Sequence, residues 1–321
     1  MTAPFDLAIG VDLGGTKIEA VIVKLTPFEE LVRLRVPTLR DEGYEAVVTR
    51  TGDLVRSVAQ RAGVTLERAS IGVGMPGGVS RRDGMVKNSN TTCLNGRPFR
   101  RDLASAVASR FPSAAGIAFA NDANCFALAE TRKGAGRPYA GGVVFGAILG
   151  TGVGGGIVVR GEVWEGAQGI AGEWGHHGVW AGRPDARECY CGRRGCLEAH
   201  LSGTAVEADY AVRSGARRSV PEIVRLRDTD PDARAAIEGM LDAFGRGVAN
   251  LIDILDPSAI ILGGGLSNLD MLLTEGRERV AGYVLNDELT TPILKNELGD
   301  SAGVLGAALR GVVTSRTDYA P

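Results

Sequence analysis

At 321 residues the chain is long enough for two domains, each with its own core. Hydrophobic and charged fractions of 44% and 23% are those of a globular protein, and a net charge of −2 gives no electrostatic ground for nucleic acid or an anionic membrane as partner. No leader-like opening and no apolar run of membrane-spanning length stand in the sequence, so a reduced, cytoplasmic protein is expected, in which a cysteine cluster reads as a metal site rather than a disulfide.

Leu7 to Leu13, Ile18 to Lys24 and Glu30 to Pro37 read as three short strands joined by tight turns. Tyr44 to Ala62 has apolar residues near helical spacing and reads as an amphipathic helix. Ser70 to Gly74 is a buried strand ending at Met75-Pro-Gly-Gly78, Phe99 to Phe111 a helix, and Gly116 to Ala120 a strand that runs into Asn121-Asp122. The pattern then restarts. Gly142 to Leu149 and Gly156 to Arg160 form a second glycine-turned strand pair, followed by a long helix, Ala233 to Ile254, and a strand, Ala259 to Leu262. A last helix spans about Gly303 to Ser315 and could pack on either half. A strand–glycine turn–strand unit thus opens each half, which predicts an internal duplication of architecture. The expected domains are residues 1–120 and 121–302, with the groove between them acting as a hinge.

The 46 glycines follow no collagen period and read as turns that approach a ligand closely. Asp12-Leu-Gly14-Gly15-Thr16-Lys17 lies between two strand-like runs. Its glycines let backbone N–H groups reach a phosphate, Thr16 adds a hydroxyl, and Asp12 suits water on a phosphate-bound magnesium. Gly150-Thr151-Gly152-Val153-Gly154-Gly155-Gly156 has the same logic in the second half. Either loop alone is equally a plain hairpin; two at equivalent places are not expected by chance. Gly72 to Gly77 and Gly150 to Gly155 both match G-x-G-x-x-G, but neither runs from strand to helix, which excludes the dinucleotide-binding reading.

Asn121 and Asp122 sit where a strand stops and a helix starts. Either could simply cap that helix. The carboxyl ends of strands in open α/β sheets are also where ligands bind, and a carboxylate there could take the proton of an attacking hydroxyl. Further on, Cys189, Cys191 and Cys196 form a C-x-C-x4-C knot, and with His176 they make a sulfur and nitrogen set suited to tetrahedral zinc. Glu173 and Glu198 flank the knot; His177 and His200 have no spacing that demands a role.

Together these motifs resemble the ROK family of sugar kinases, within the superfamily that joins hexokinases, actin and chaperone ATPases. The likeness runs through Asp12 to Lys17, Gly74-Met-Pro-Gly77, Asn121-Asp122, Leu149 to Gly156, Gly172-Glu-Trp-Gly-His176, the Cys189 to Cys196 knot with Leu197-Glu198, and Leu262-Gly-Gly-Gly265. Val86 to Phe99, Ala171 to His176 and Cys189-Tyr-Cys-Gly look closest to the fructokinase/mannofructokinase branch, with Cys93 standing where that branch often has a large aromatic. Bacterial N-acetylglucosamine kinases are similar at Asn121 to Leu128 and Gly150 to Gly156, so they stay open as an alternative.

The resemblance implies a duplicated actin-like, hexokinase-type (ribonuclease H-like) α/β fold with two lobes around a cleft, and ATP-dependent phosphorylation of a hexose hydroxyl. It implies Asp122 as catalytic base, with Gly77, Asn90, Asn121, Glu173, His176 and Glu198 on the sugar. Asp12, Gly14, Gly15, Thr16, Lys17, Gly150, Thr151, Gly152, Gly154, Gly155 and Gly156 would cradle ATP phosphates and magnesium, with Gly263, Gly264 and Gly265 by the nucleoside. His176, Cys189, Cys191 and Cys196 would hold a structural zinc, and a homodimer is implied. Two other classes are disfavoured. A ROK-type repressor carries a DNA-binding helix-turn-helix before the first glycine loop, and eleven residues are too few for one. A filament or chaperone ATPase has no need of acids and a histidine gathered at a metal.

Overall fold

The computed structural model describes residues 5–108 and 116–317. The chain divides into two compact units. One holds the chain up to Ala129 with Glu165–Ile170 and everything from Leu298 on; the other holds Glu130–Trp164 and Ala171–Glu297.

The first unit opens with strands β1 (Leu7–Leu13), β2 (Lys17–Leu25) and β3 (Phe28–Pro37), then helix α1 (Tyr44–Arg61) and strand β4 (Ala69–Met75). A small hairpin, β5 (Gly78–Val79) and β6 (Val86–Lys87), precedes helix α2 (Phe99–Ala108), strand β7 (Ile117–Asn121) and helix α3 (Asp122–Lys133). The expected end of α2 beyond Ala108 lies outside the described residues. The sheet runs β3-β2-β1-β4-β7. β1 pairs antiparallel with β2 and parallel with β4, and β4 pairs parallel with β7. Leu7, Ile9, Val11 and Leu13 of β1 are buried and share a core with Val47, Leu54, Val55 and Val58 of α1. The near-helical spacing on α1 buries one face of that helix, whereas β1, in the middle of the sheet, is buried almost throughout.

The second unit repeats the plan with strands β8 (Val143–Leu149), β9 (Val153–Val159) and β10 (Glu162–Val163). Helices α4 (Glu198–Leu201), α5 (Gly203–Ser214), α6 (Val220–Leu226) and α7 (Pro231–Leu255) follow, then β11 (Ala259–Gly263), α8 (Glu275–Ala281) and β12 (Ile293–Lys295). Its sheet order is β10-β9-β8-β11-β12, with two antiparallel and two parallel pairings in the same sequence as in the first unit. The duplication of architecture expected from the two glycine hairpins is therefore present strand for strand.

Helix α9 (Ala302–Thr317) returns to the first unit and lies on β1, β4 and β7. It lies so close that a Cβ on Gly10 would stand 2.0 Å from the Val304 carbonyl oxygen, and one on Gly72 1.9 Å from that of Ala307. These strand glycines serve helix-on-sheet contact, not a ligand, which corrects the reading of the glycine excess as ligand turns alone. No helix among the described residues is long and apolar enough to cross a membrane.

Candidate functional site

Strand register brings the first set of residues together. Asp12 near the end of β1 pairs across to Gly74 on β4, and Gly74 to Ala120 on β7, so Asp12, Asn121 and Asp122 lie at one edge, where the three parallel strands end. The turn after β1 is closed by Gly14, whose N–H donates to the Lys17 carbonyl at 2.9 Å. Thr38, just past β3 and fully buried, clasps that turn. Its N–H donates to the Thr16 carbonyl at 2.9 Å and its hydroxyl to the Gly14 carbonyl at 2.7 Å. Nothing in the spacing of the sequence pointed to Thr38; its role comes from a strand pairing that only the fold supplies.

Asp12 is largely buried, and its carboxyl is pushed up to about 6. Burial is the first cause, the Asp122 and Glu19 carboxylates the next, partly offset by Lys17 and Arg35. Glu19 sits opposite Asp12 on β2 and is itself held by Arg33 at 2.6 Å and Arg35 at 2.7 Å. A buried carboxylate pressed by a second one nearby is a site that a divalent cation would relieve, so the donor set fits magnesium.

Asp122 is the first residue of α3, and its Oδ1 accepts the Ala123 N–H at 2.9 Å. Asn121 Oδ1 accepts the same N–H at 2.9 Å, so both residues share the capping role considered from sequence. Asn121 donates from Nδ2 to the Gly77 carbonyl at 3.1 Å. Gly77 has φ +77°, and a Cβ there would lie 2.4 Å from the Lys87 carbonyl oxygen, so only glycine fits this meeting of the β4 end with the β6 end. Asn90 is exposed on the loop after β6. That loop is shaped by Asn95, which accepts the Ser89 N–H and donates to the Ser89 carbonyl, both at 2.9 Å.

In the second unit the turn between β8 and β9 is closed by a Gly150 N–H to Gly152 carbonyl bond of 2.9 Å. The neighbouring chain fixes it from outside. Gly203 N–H donates to the Gly150 carbonyl at 2.8 Å, the Thr204 hydroxyl to the Thr151 carbonyl at 2.8 Å, and Val153 N–H to Glu198 Oε2 at 2.7 Å. Glu198, expected on a sugar, is therefore also a strut of the glycine turn. Gly264 has φ +78°, and a Cβ on it would meet the Leu149 carbonyl oxygen at 2.4 Å, so the turns at 150–152 and 263–265 abut. Both follow strands that pair in parallel, β8 and β11.

Gly154, Gly155 and Gly156 stand inside β9, not in the turn, which differs from their expected place in one long loop. Close packing accounts for Gly155. A Cβ on Gly155 would meet Phe145 at 2.5 Å, Trp174 at 2.8 Å and the Gly172 carbonyl at 2.9 Å. The Trp174 indole N–H donates to the Gly154 carbonyl at 2.8 Å. These contacts seat the segment Gly172 to His176 on β9, with Glu173 exposed at its start.

His176, Cys189, Cys191 and Cys196 offer one ligand atom each, all within 4.8 Å of one another. Cys191 and Cys196 sulfurs are 3.6 Å apart, as are Cys189 Sγ and His176 Nδ1, and the cysteines form no disulfide. Bonds of about 2.0–2.3 Å to a tetrahedral zinc separate ligand atoms by about 3.5–3.8 Å, so the set fits zinc. His176 Nε2 lies 3.0 Å from the Tyr190 hydroxyl. A nitrogen expected to face a sugar thus has an exposed tyrosine beside it, a residue the sequence reading did not single out. His200 stacks on Trp180 with ring centroids 4.5 Å apart, and burial pushes it down to about 4, in keeping with a packing rather than a ligand role.

The site residues fall into two sets, one in each unit, each built where parallel strands end beside a glycine turn. A duplicated α/β sheet, a buried acid by the first turn and a Cys3His cluster by the second together define a hexokinase-type α/β protein. The ROK family profile matches residues 8–310, and the chain belongs to that family. It is 36% identical over 314 residues to an N-acetyl-D-glucosamine kinase of Citrobacter koseri, covering 93% of this chain and 97% of that one. It is 35% identical over 310 residues to an N-acetylgalactosamine kinase of Shewanella sp. (strain ANA-3), covering 94% and 96%. The ROK hexokinase structure from Thermus thermophilus superposes with a TM-score of 0.82 at 31% identity, covering 97% of this chain and 99% of that one. The expected tie to the fructokinase branch finds no support in these relatives. Asn121 to Leu128 and Gly150 to Gly156, where the sequence resembled N-acetylglucosamine kinases, were the better guide.

Proposed function

We propose that this chain is an ATP-dependent kinase of an N-acetylhexosamine, transferring phosphate to the sugar's 6-hydroxyl. The observation that carries it is Asp122 at the carboxyl end of β7, its Asn121 neighbour tied to Gly77 and its carboxylate coupled to Asp12. Asp122 takes the hydroxyl proton as the oxygen attacks the terminal phosphorus. Asn121, Asn90 and the Gly77 backbone orient the sugar in the first unit, and Glu173, His176 and Glu198 contact hydroxyls in the second. Gly14, Gly15, Thr16 and Lys17, with Gly150, Thr151 and Gly152, bind phosphates; Gly263, Gly264 and Gly265 border the nucleoside. Magnesium, when bound near Asp12, would neutralise phosphate charge, and zinc on the Cys3His set would hold the shape of the knot. The amino sugar is preferred over fructose or mannose because curated relatives of nearly equal length carry N-acetylhexosamine names. A steady-state panel of N-acetylglucosamine, N-acetylgalactosamine, glucose, mannose and fructose tests this. We expect an N-acetylhexosamine to exceed the others in kcat/KM by about 10-fold or more, the scale of one or two well-made contacts; fructose or mannose leading the panel would overturn it.

The raised Asp12 carboxyl gives a pH prediction. Its pKa is higher folded than unfolded, so the ionised form is the one the fold disfavours, and Asp12 costs stability as pH rises from about 4 to about 6. Asp12→Asn should therefore raise the melting temperature of the metal-free protein at pH 7.5, by up to about 3 kcal/mol in stability, while lowering kcat/KM. In the native enzyme the acid limb of kcat/KM should fall below about pH 6 and move to lower pH as magnesium rises, because proton and cation compete for one carboxylate. An acid limb unmoved by magnesium would contradict this.

A further inference from the structure

We infer that Arg40, set by the left-handed residue Leu39 and assisted by Thr91, binds the terminal phosphoryl group of the nucleotide over the first glycine turn. This rests on the kinase reading and adds residues that neither the glycine motif nor the family resemblance supplied.

The chain around Thr38 is built to deliver Arg40. Thr38 clasps the turn through the Gly14 and Thr16 carbonyls. Leu39 then takes φ 49° and ψ 48°, a left-handed conformation that side chains of L residues rarely adopt. Such outliers persist where surrounding structure enforces them, and they gather at ligand sites. The bend turns the chain back, and the Arg40 guanidinium Nη1 lies 3.5 Å from the point a Gly15 Cβ would occupy. Two more polar atoms face that same point, the Thr91 hydroxyl at 3.8 Å and Asn90 Oδ1 at 3.9 Å. Gly15 therefore opens onto a guanidinium, a hydroxyl and an amide oxygen.

Thr91 is the second observation. It is fully buried, and its Oγ1 has no hydrogen-bond partner. A buried hydroxyl without a partner is costly and uncommon in a folded protein, and it finds a use when a ligand oxygen arrives. Arg40, by contrast, is half exposed, and its ion pair with Asp41 is stretched to 4.0 Å, so its charge is not consumed within the protein. A guanidinium fork and a hydroxyl donor beside a glycine turn make a set for a tetrahedral oxyanion. Asn90, at the same point, belongs to the expected sugar side, so the subsite lies where phosphate and sugar meet. The terminal phosphoryl group has that place in an ATP molecule; the inner phosphates do not.

The test compares ADP with the β,γ-imido analogue of ATP by equilibrium titration with magnesium, in the native protein and in Arg40→Ala, Arg40→Lys and Thr91→Val. Arg40→Ala should lose about 10-fold or more in affinity for the analogue and less than about 2-fold for ADP, the size of one charge-assisted contact. In turnover it should lose about 10²-fold in kcat, with Arg40→Lys recovering part and added guanidinium ion restoring some activity to the alanine variant. Thr91→Val should show the same selectivity with a smaller loss. Equal losses for ADP and the analogue, or a change confined to the sugar KM, would overturn the assignment. If the native protein phosphorylates no sugar, the kinase reading fails, while the ADP-against-analogue comparison still decides the role of Arg40.

Discussion

Asp122→Asn should lower kcat by about 10²–10⁴-fold, the usual worth of a positioned general base, while leaving sugar affinity within a few-fold of native. Asp122 combines a shared capping bond with the proposed role of base, which makes this variant informative. Its Oδ1 accepts the Ala123 N–H at 2.9 Å, and an asparagine oxygen accepts the same bond. The start of α3 should then survive, with a melting temperature close to native. Asp122→Ala should lose kcat as well and cost little stability, because Asn121 Oδ1 also accepts the Ala123 N–H at 2.9 Å and keeps the cap. If Asp122 only shared the cap with Asn121, both variants would turn over normally. Steady-state kinetics, sugar binding and thermal melts on the pair separate these outcomes. A near-native kcat for Asp122→Asn would remove the residue from catalysis.

The second large effect concerns the thiol cluster. Cys191→Ser should release zinc and lower kcat/KM by about 10²-fold or more, while ATP affinity changes little. Structural zinc contributes about 10–16 kcal/mol of coupled binding and folding in small domains. Here the knot is a rim on a larger core, so its loss should distort rather than unfold. The route of that distortion is visible in the hydrogen bonds. Leu197 N–H, just after Cys196, donates to the His177 carbonyl at 3.0 Å, and Glu198 accepts the Val153 N–H at 2.7 Å. Freeing the knot shifts His176 and Glu198 together. The glycine turn keeps its bonds from Gly203 and Thr204, and the turn at 263–265 keeps its seat on Leu149, so the side proposed for the nucleotide should persist. Metal analysis of freshly purified native protein should find about one zinc per chain; full activity without zinc would sink this reading.

Much of the site was legible before the fold was known, because its chemistry is local. Gly14-Gly15 and Gly150-Thr-Gly152 are hairpin turns in both readings, closed by bonds that span only two or three residues, Gly14 N–H to the Lys17 carbonyl and Gly150 N–H to the Gly152 carbonyl. The Cys189 to Cys196 spacing closes on itself, so its metal geometry needed only His176 from outside. The points where the two readings differ have separate causes. Gly154 to Gly156 looked like more of a phosphate loop but belong to β9, where Trp174 and the Gly172 carbonyl press on Gly155. Gly10 and Gly72, within strands in both readings, make room for α9, more than two hundred residues away in sequence. The fructokinase likeness rested on short stretches, while the similarity over nearly the whole chain runs to N-acetylhexosamine kinases.

By itself the sequence determined the strand and helix periods, the two glycine hairpins, the acid at the end of β7 and the thiol knot, all set by neighbours a few residues apart. Tertiary structure alone decided that Thr38 clasps the first turn, that Arg40 and Thr91 face Gly15, that Asp12 is pressed by Asp122, and that Tyr190 covers His176. Those facts depend on strand register and on segments distant along the chain. No local pattern encodes a contact whose partner is chosen only when the sheet closes.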